Sequence, residues 1–337
     1  MKHLALAALL YALVESVAGC ELCAIYSATA ARGEAVRGFQ LSISEQFTAF
    51  ETLLFEGSSF PSAGFLEGSY LDNSITHVVP GYNFSERFGL NLNIPIIYRA
   101  FNRYEIRYRE SGSGFISSIN QEEGNVFGLG DMALIGRLAV VQKLEMNYSL
   151  TFDLFAGVKF PTGDTDRLQD EVEQARRAAI ALGPIHEHNV LPVHQSDLSL
   201  GSGSFDGVFG TAANVRWDRW FFNNQIQYYL RTEAEGYKFG NEWIISGGPG
   251  AYLLLEERFT LSLQAKASYE SKARDEVLGR KSNSSGISSW YVGPLFGFTW
   301  GEHLSANAGF DFPWHIYNHG LQIVSDYRVH AGLSWRF

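Results

Sequence analysis

Two cysteines and a short run of histidines are the residues of this chain whose types and spacing suggest chemistry. Val17-Ala18-Gly19-Cys20 fits a lipoprotein signal, in which the Cys20 sulfur would carry a lipid. Ser16-Val17-Ala18 equally fits an ordinary cleavage site, which leaves Cys20-Glu21-Leu22-Cys23 as a pair able to form a disulfide, hold a metal, or do neither. A c-type haem site is excluded, because Ala24 stands where histidine is required. His186 and His188 form a His-x-His pair with His194 further on. Such a pair chelates a transition metal when both rings project from one side of an extended segment. No cysteine or clear carboxylate partner accompanies it, so the metal reading is weak. His315, His319 and His330 gather near the last hairpin, where a polar interior explains them equally well. No cofactor motif is present.

The charged residues are more informative by position than by type. Arg99, Asp131, Arg137, Asp153, Lys159, Lys266, Glu270, Asp311, Asp326 and Arg328 all fall on the polar side of alternating segments. Mixed signs on one face imply paired charges around an aqueous path or a polar plug. The elements that must position them repeat with a period of two. Tyr148, Leu150, Phe152, Leu154, Ala156, Val158 and Phe160 alternate with Ser149, Thr151, Asp153, Gly157 and Lys159, with Phe155 the exception. Segments from Phe259 and from Leu304 alternate in the same way. Each is a strand with one apolar and one polar side.

A soluble sandwich alternates too, so the connections decide the solvent. Short polar turns flanked by large residues recur, as at Phe84-Ser85-Glu86-Arg87-Phe88 and Trp217-Asp218-Arg219-Trp220. Between them lie long polar stretches near 53–72, 105–127, 162–203, 231–237 and 271–287. Short turns at one end and long loops at the other predict a transmembrane antiparallel β-barrel of about twelve strands. The expected spans are 36–50, 73–84, 88–103, 128–142, 147–161, 204–217, 220–231, 238–254, 259–270, 288–300, 304–317 and 321–337. The last strand places Tyr327, Val329, Ala331, Leu333, Trp335 and Phe337 on one face, a pattern expected to be read by the outer-membrane assembly machinery. Glu45 falls on the apolar face of the first strand, and a bulge there would restore the alternation.

Composition agrees. Charged residues are 18% of the chain and aromatics 14%, against about 25% charged in an average soluble protein. A net charge of −10 argues against nucleic acid, which needs a basic stripe. Residues 1–19 read as a signal peptide, 20–35 as a periplasmic tail with the cysteine pair, and 36–337 as the barrel. No stretch approaches the roughly 18 apolar residues of a membrane helix.

One loop carries a helical signature. Leu168, Val172, Ala175, Ala179 and Leu182 recur at helical spacing, and Gly183-Pro184 stops the run. Asp170, Glu171, Glu173, Arg176 and Arg177 take the opposite face. Such a helix either folds over the barrel mouth or into the lumen, with Lys159 and Asp131 pairing to its charged face, or lies solvated on the surface.

Gly128-Leu129-Gly130-Asp131-Met132-Ala133-Leu134, Lys159-Phe160-Pro161-Thr162-Gly163-Asp164 and Leu198-Ser199-Leu200-Gly201-Ser202-Gly203 together resemble the barrels of the MetA-pathway of phenol degradation family. The match covers mostly residues 125–260. The resemblance implies an outer-membrane, transporter-like barrel linked to uptake of small aromatic or apolar compounds. A different twelve-strand barrel, outer-membrane phospholipase A, uses Ser and His on its outer face within a His-x-Ser-Asn-Gly motif. That motif is absent, and the nearest stretch, His194-Gln195-Ser196-Asp197, lies in a loop. The expectation is therefore a non-enzymatic porin-like channel for small solutes in the bacterial outer membrane, with lipid, solute and assembly machinery as partners. The alternative is a non-conducting barrel that anchors a periplasmic redox or metal partner through its cysteine tail.

Overall fold

The computed structural model describes residues 37–60, 68–111, 114–182 and 192–337. The described residues supply thirteen long strands, of which twelve close into one barrel. β1 (Gly38–Phe55), β2 (Tyr70–Asn83) and β3 (Phe88–Ser111) begin the wall. β4 (Gly114–Leu129) and β5 (Ala133–Leu144) follow, then β6 (Tyr148–Lys159), β7 (Asp206–Trp217) and β8 (Trp220–Leu230). β9 (Glu242–Leu255), β10 (Phe259–Lys272), β11 (Ile287–Trp300), β12 (Leu304–Asn318) and β13 (Leu321–Arg336) complete it. Leaving β4 aside, each strand pairs antiparallel with the next, β5 following β3, and β13 returns to β1 from Gln40–Arg336 up to Phe55–Leu321, which removes both sheet edges.

β4 is the strand outside that circuit. Sequence alone assigns 105–127 to a polar loop; instead β3 runs on past the barrel rim and β4 folds back along it, from Ile96–Leu129 to Ser111–Gly114. β5 then takes over as the partner of the lower half of β3, from Phe88–Leu138 to Asn93–Ala133. Gly130-Asp131-Met132 is the joint between the two.

The distribution of side chains is inverted relative to a soluble protein. Inside, Ser42, Gln46, His77, Gln227, Glu270 and Asp311 are buried. Outside, Phe127, Trp217, Trp220, Trp243, Trp314 and Trp335 are exposed. Aromatic contacts such as Phe39–Tyr82 and Phe84–Phe88, with ring centroids 4.7 and 5.6 Å apart, mark the short-turn end. Large apolar surface of this extent is stable only in lipid.

The bulge expected at Glu45 is not there. Glu45 stays on the outer face, where the Ser74 and Thr76 hydroxyls donate to its two carboxylate oxygens. The register shifts lie higher, between Ala49 and Thr52. They exchange the two faces of β1, so Thr48 and Leu53 both point inward and are buried. The outer half of the interior thereby gains an apolar patch that strict alternation hides. Asp326 answers the same irregularity from β13, accepting from the Glu51 and Thr52 amides at 2.7 and 3.2 Å and from the Thr52 hydroxyl.

Helix α1 (Asp166–Leu182) has the predicted span. Leu168, Val172 and Ala175 pack on Tyr237 and Val277 of a small three-stranded sheet built from the loops after β8 and β10. Glu171, assigned by periodicity to the polar face, is buried instead.

Candidate functional site

The residues behind the family resemblance meet in one knot at the outer end of β6. The Lys159 Nζ donates to Asp131 Oδ2 at 2.6 Å and to the Ser202 hydroxyl at 2.6 Å, and lies 2.9 Å from Asp206 Oδ2. Asp131 also accepts from the Gly163 amide at 3.0 Å and from the Ser202 amide at 2.8 Å. The Thr162 hydroxyl donates to the Gly130 carbonyl and accepts from the Met132 amide, which fixes the β4–β5 joint. Gly163 and Gly201 are required by proximity: a Cβ on Gly201 would stand 2.5 Å from the Gly163 carbonyl oxygen. Arg231 extends the charge chain, 3.1 Å from Asp206 and 3.0 Å from Glu242. The expected pairing of Lys159 and Asp131 with α1 does not occur, because Ser202 and Asp206 approach them first.

This knot holds one end of a segment folded into the barrel. The Arg99 guanidinium donates to the Ser199 carbonyl at 2.5 Å, and the Ile323 amide donates to the Pro192 carbonyl at 3.1 Å. Residues 192–204 therefore cross the interior from β13 towards β3 and β6. Val193 and Leu198 pack against Leu53, Leu71, Phe101 and Ile323 on the inner wall. From above, the Glu171 carboxylate accepts from the Ser196 amide at 2.6 Å, and the Gln195 amide nitrogen donates to Glu105 and Asp170. Arg167 ties α1 to the β3–β4 hairpin through Glu122 at 2.6 Å, and Arg103 meets the same carboxylate at 2.8 Å. Burial alone would raise the Glu122 carboxyl; the hydrogen bonds from Arg167 and Arg103 outweigh it and hold the group below its usual range.

Beneath and beside this segment is a cavity of about 240 Å³. One side carries Phe50, Leu71, Ile75 and Ile323 among the polar Thr48, Asn73 and Arg99; the other carries Lys159, Asp131, Arg231, Glu242 and Lys272. At the cavity wall Arg328 pairs with Glu270 at 2.5 and 2.9 Å, and lower in the barrel Lys266 pairs with Asp311 at 2.9 Å and Arg137 with Asp153 at 2.8 Å. His330 is buried with Nδ1 3.6 Å from Asp311. His319 sits near Glu56 at the surface and His315 is exposed, so these histidines do not form one group.

Of the interior charges read from sequence, only Asp326 is diverted, being bound to the β1 backbone. Arg103, Glu105, Asp206, Arg231 and Glu242 were missed. Arg103, Glu105, Asp206 and Arg231 lie in a stretch assigned to a loop or near a strand end, where period two gives no signal; Glu242 lies inside the expected span 238–254 and was overlooked there. His194 is buried, with Nδ1 3.8 Å from Glu171. Among the described residues no group of three His, Cys, Asp or Glu is placed to hold a metal. Cys20, Cys23, His186 and His188 lie outside the described residues.

No family model and no curated protein matches the sequence. Solved structures share the fold. The COG4313 outer membrane channel from Pseudomonas putida F1 superposes with a TM-score of 0.55 at 11% identity, over 91% of this chain and 98% of that one. This chain is a barrel of the bacterial outer membrane. A FadL homologue of Pseudomonas aeruginosa covers 89% of this chain and 90% of its own at a TM-score of 0.37 and 10% identity. The CymD monoaromatic hydrocarbon channel covers 96% of this chain and 95% of its own at 0.37 and 8%.

Proposed function

We propose that the barrel is a channel for small solutes whose narrow point is the inward segment 192–204. The cavity of about 240 Å³ beside that segment carries the reading. A dry engineered cavity of about 150 Å³ takes up benzene, so a single-ring compound fits here. The apolar side chains Phe50, Leu71, Ile75 and Ile323 suit the body of such a compound, and the polar and charged ones around them suit a polar substituent. The motif resemblance supports small aromatic or apolar compounds as the solute class, and the shared fold with a known outer membrane channel supports conduction.

The test is single-channel recording in planar bilayers, followed by competition with single-ring solutes. A conducting state that such solutes block is the expected result. A purified, heat-modifiable barrel that never conducts would favour the anchoring alternative.

A further inference from the structure

The charges along one side of the cavity form a chain whose members do not balance. Asp131, Lys159, Asp206, Arg231 and Glu242 follow one another at 2.6, 2.9, 3.1 and 3.0 Å. With every group ionised, two cations meet three carboxylates. Arg231 is shared between Asp206 and Glu242 and reaches Glu242 only through Oε2. The other oxygen, Oε1, is hidden from water and accepts no hydrogen bond. The neighbouring cations are committed elsewhere. Lys272, the cross-strand partner of Glu242, donates to Asp275 at 2.9 Å and stands 5.0 Å from the Phe239 ring. Arg328 is held by both oxygens of Glu270.

A second unpartnered atom borders the same space. His194, on the inward segment, is 4% exposed, and its Nδ1 lies 3.8 Å from Glu171 Oε1. That carboxylate favours the tautomer protonated at Nδ1, which leaves Nε2 as an acceptor. Nε2 is also buried without a hydrogen-bond partner. Glu242 is 1% exposed, and both residues line the cavity beside 192–204. A buried polar atom left unpaired costs roughly 1–3 kcal/mol. An ionised carboxylate in the same position is penalised further until a counter-charge arrives. Two acceptors at the unbalanced end of a charge chain are complemented by a group that brings both hydrogens and positive charge. A primary ammonium does so, with three donors and no acceptor. A hydroxyl brings one donor and no charge, and a carboxylate would be repelled by Glu242. Phe50, Leu71, Ile75 and Ile323 border the same cavity and suit an apolar body of single-ring size.

We propose that Glu242 and His194 form a binding site for the primary ammonium group of a small apolar amine, with Glu242 Oε1 and His194 Nε2 turning to accept its hydrogens. The inference rests on the channel reading above for the amine's route to the cavity, whereas binding itself needs no conduction. His194 belongs to the segment 192–204, so an amine taken up there is held at the narrow point.

The experiment is isothermal titration calorimetry of the folded full chain in detergent with benzylamine, which is protonated at neutral pH, and with the similarly shaped benzyl alcohol and benzoate. Planar-bilayer recordings with the same solutes follow conduction separately. Benzylamine is expected to bind at least about tenfold more tightly than benzyl alcohol, with benzoate the weakest. Glu242→Gln keeps the shape of the side chain and should bring the amine down to the affinity of the alcohol, leaving the alcohol unchanged. Glu242→Asp keeps the charge and should retain part of the preference. His194→Phe keeps a ring without Nε2 and should weaken the amine more than the alcohol. Heat-modifiable migration shows that each variant has folded. Equal affinity for amine and alcohol in the parent chain, or a preference that survives Glu242→Gln in a folded barrel, overturns the site. Conduction blocked by benzyl alcohol in that same barrel leaves the channel reading standing, so the site alone falls. A barrel that binds benzylamine selectively and never conducts supports the site and overturns the channel reading.

Discussion

Lys159 is the residue on which most of the inner arrangement turns. Its ammonium sits between two buried carboxylates, Asp131 and Asp206, and also holds Ser202 of the inward segment. Removing one member of a buried ion pair typically costs roughly 3–5 kcal/mol, because the partner stays buried without a counter-charge. Lys159→Met is therefore expected to free residues 192–204 while the wall still closes. Protease cleavage within 192–204, compared with the parent, checks it; an unchanged digest counts against the clamp. Gly201→Ala should act in the same direction through backbone crowding against Gly163. The knot was half legible in the sequence. The glycines, Asp131 and Lys159 stood out as motif residues, but the motif does not say that Ser202 returns to them. Glu45 shows the opposite failure. Its place on the apolar face was read correctly, and the bulge invoked to remove it was not needed, because Ser74 and Thr76 on the neighbouring strand satisfy it.

At the scale of elements, strands bathed in lipid on one side were readable because the solvent on each face imposes the period of two. The hairpin of β3 and β4 beyond the rim was not readable. It stands outside the membrane, so neither of its faces must be apolar and the sequence looks like a loop. Helix α1 was legible from its apolar spacing, whereas the burial of Glu171 was not, since it depends on Ser196 arriving from a different segment. The docking of α1 has a pH dependence with a definite sign. Hydrogen bonds from Arg167 and Arg103 hold the Glu122 carboxyl below the usual range of a glutamate. Its contribution is complete above the unfolded value and lost as pH falls through the lower folded value. Acidification is thus expected to loosen α1 from the hairpin before the barrel itself unfolds. Hydrogen exchange of residues 166–182 across that range reads this directly, and exchange independent of pH after correction for chemistry would refute it.

At the scale of the whole molecule, the inverted side-chain distribution and the narrow point make separable demands. The first predicts recovery of the protein in the detergent-resistant outer-membrane fraction as a heat-modifiable band; recovery as a soluble periplasmic species would be incompatible with the exposed tryptophan belt. The second concerns what limits flow. Helix α1 packs on the outer loops and lies above the interior, so its bulk is not the obstruction. On the proposed reading the obstruction is the segment 192–204, whose Val193 and Leu198 are buried against the inner wall. Burial of two such side chains contributes on the order of 1.5–3 kcal/mol each. The helix adds the Glu171 and Asp170 contacts from above. Deleting 166–182 should therefore raise conductance only partially and intermittently, because the apolar anchor and the Lys159 clamp persist. Val193→Ser with Leu198→Ser should open the pore for longer, because it removes the larger holding contribution inside the barrel. Combining both changes should give the highest steady conductance and the weakest exclusion of larger solutes. Single-channel recordings of the three variants order these effects, and a helix deletion that equals the combined variant would place the constriction in α1 instead.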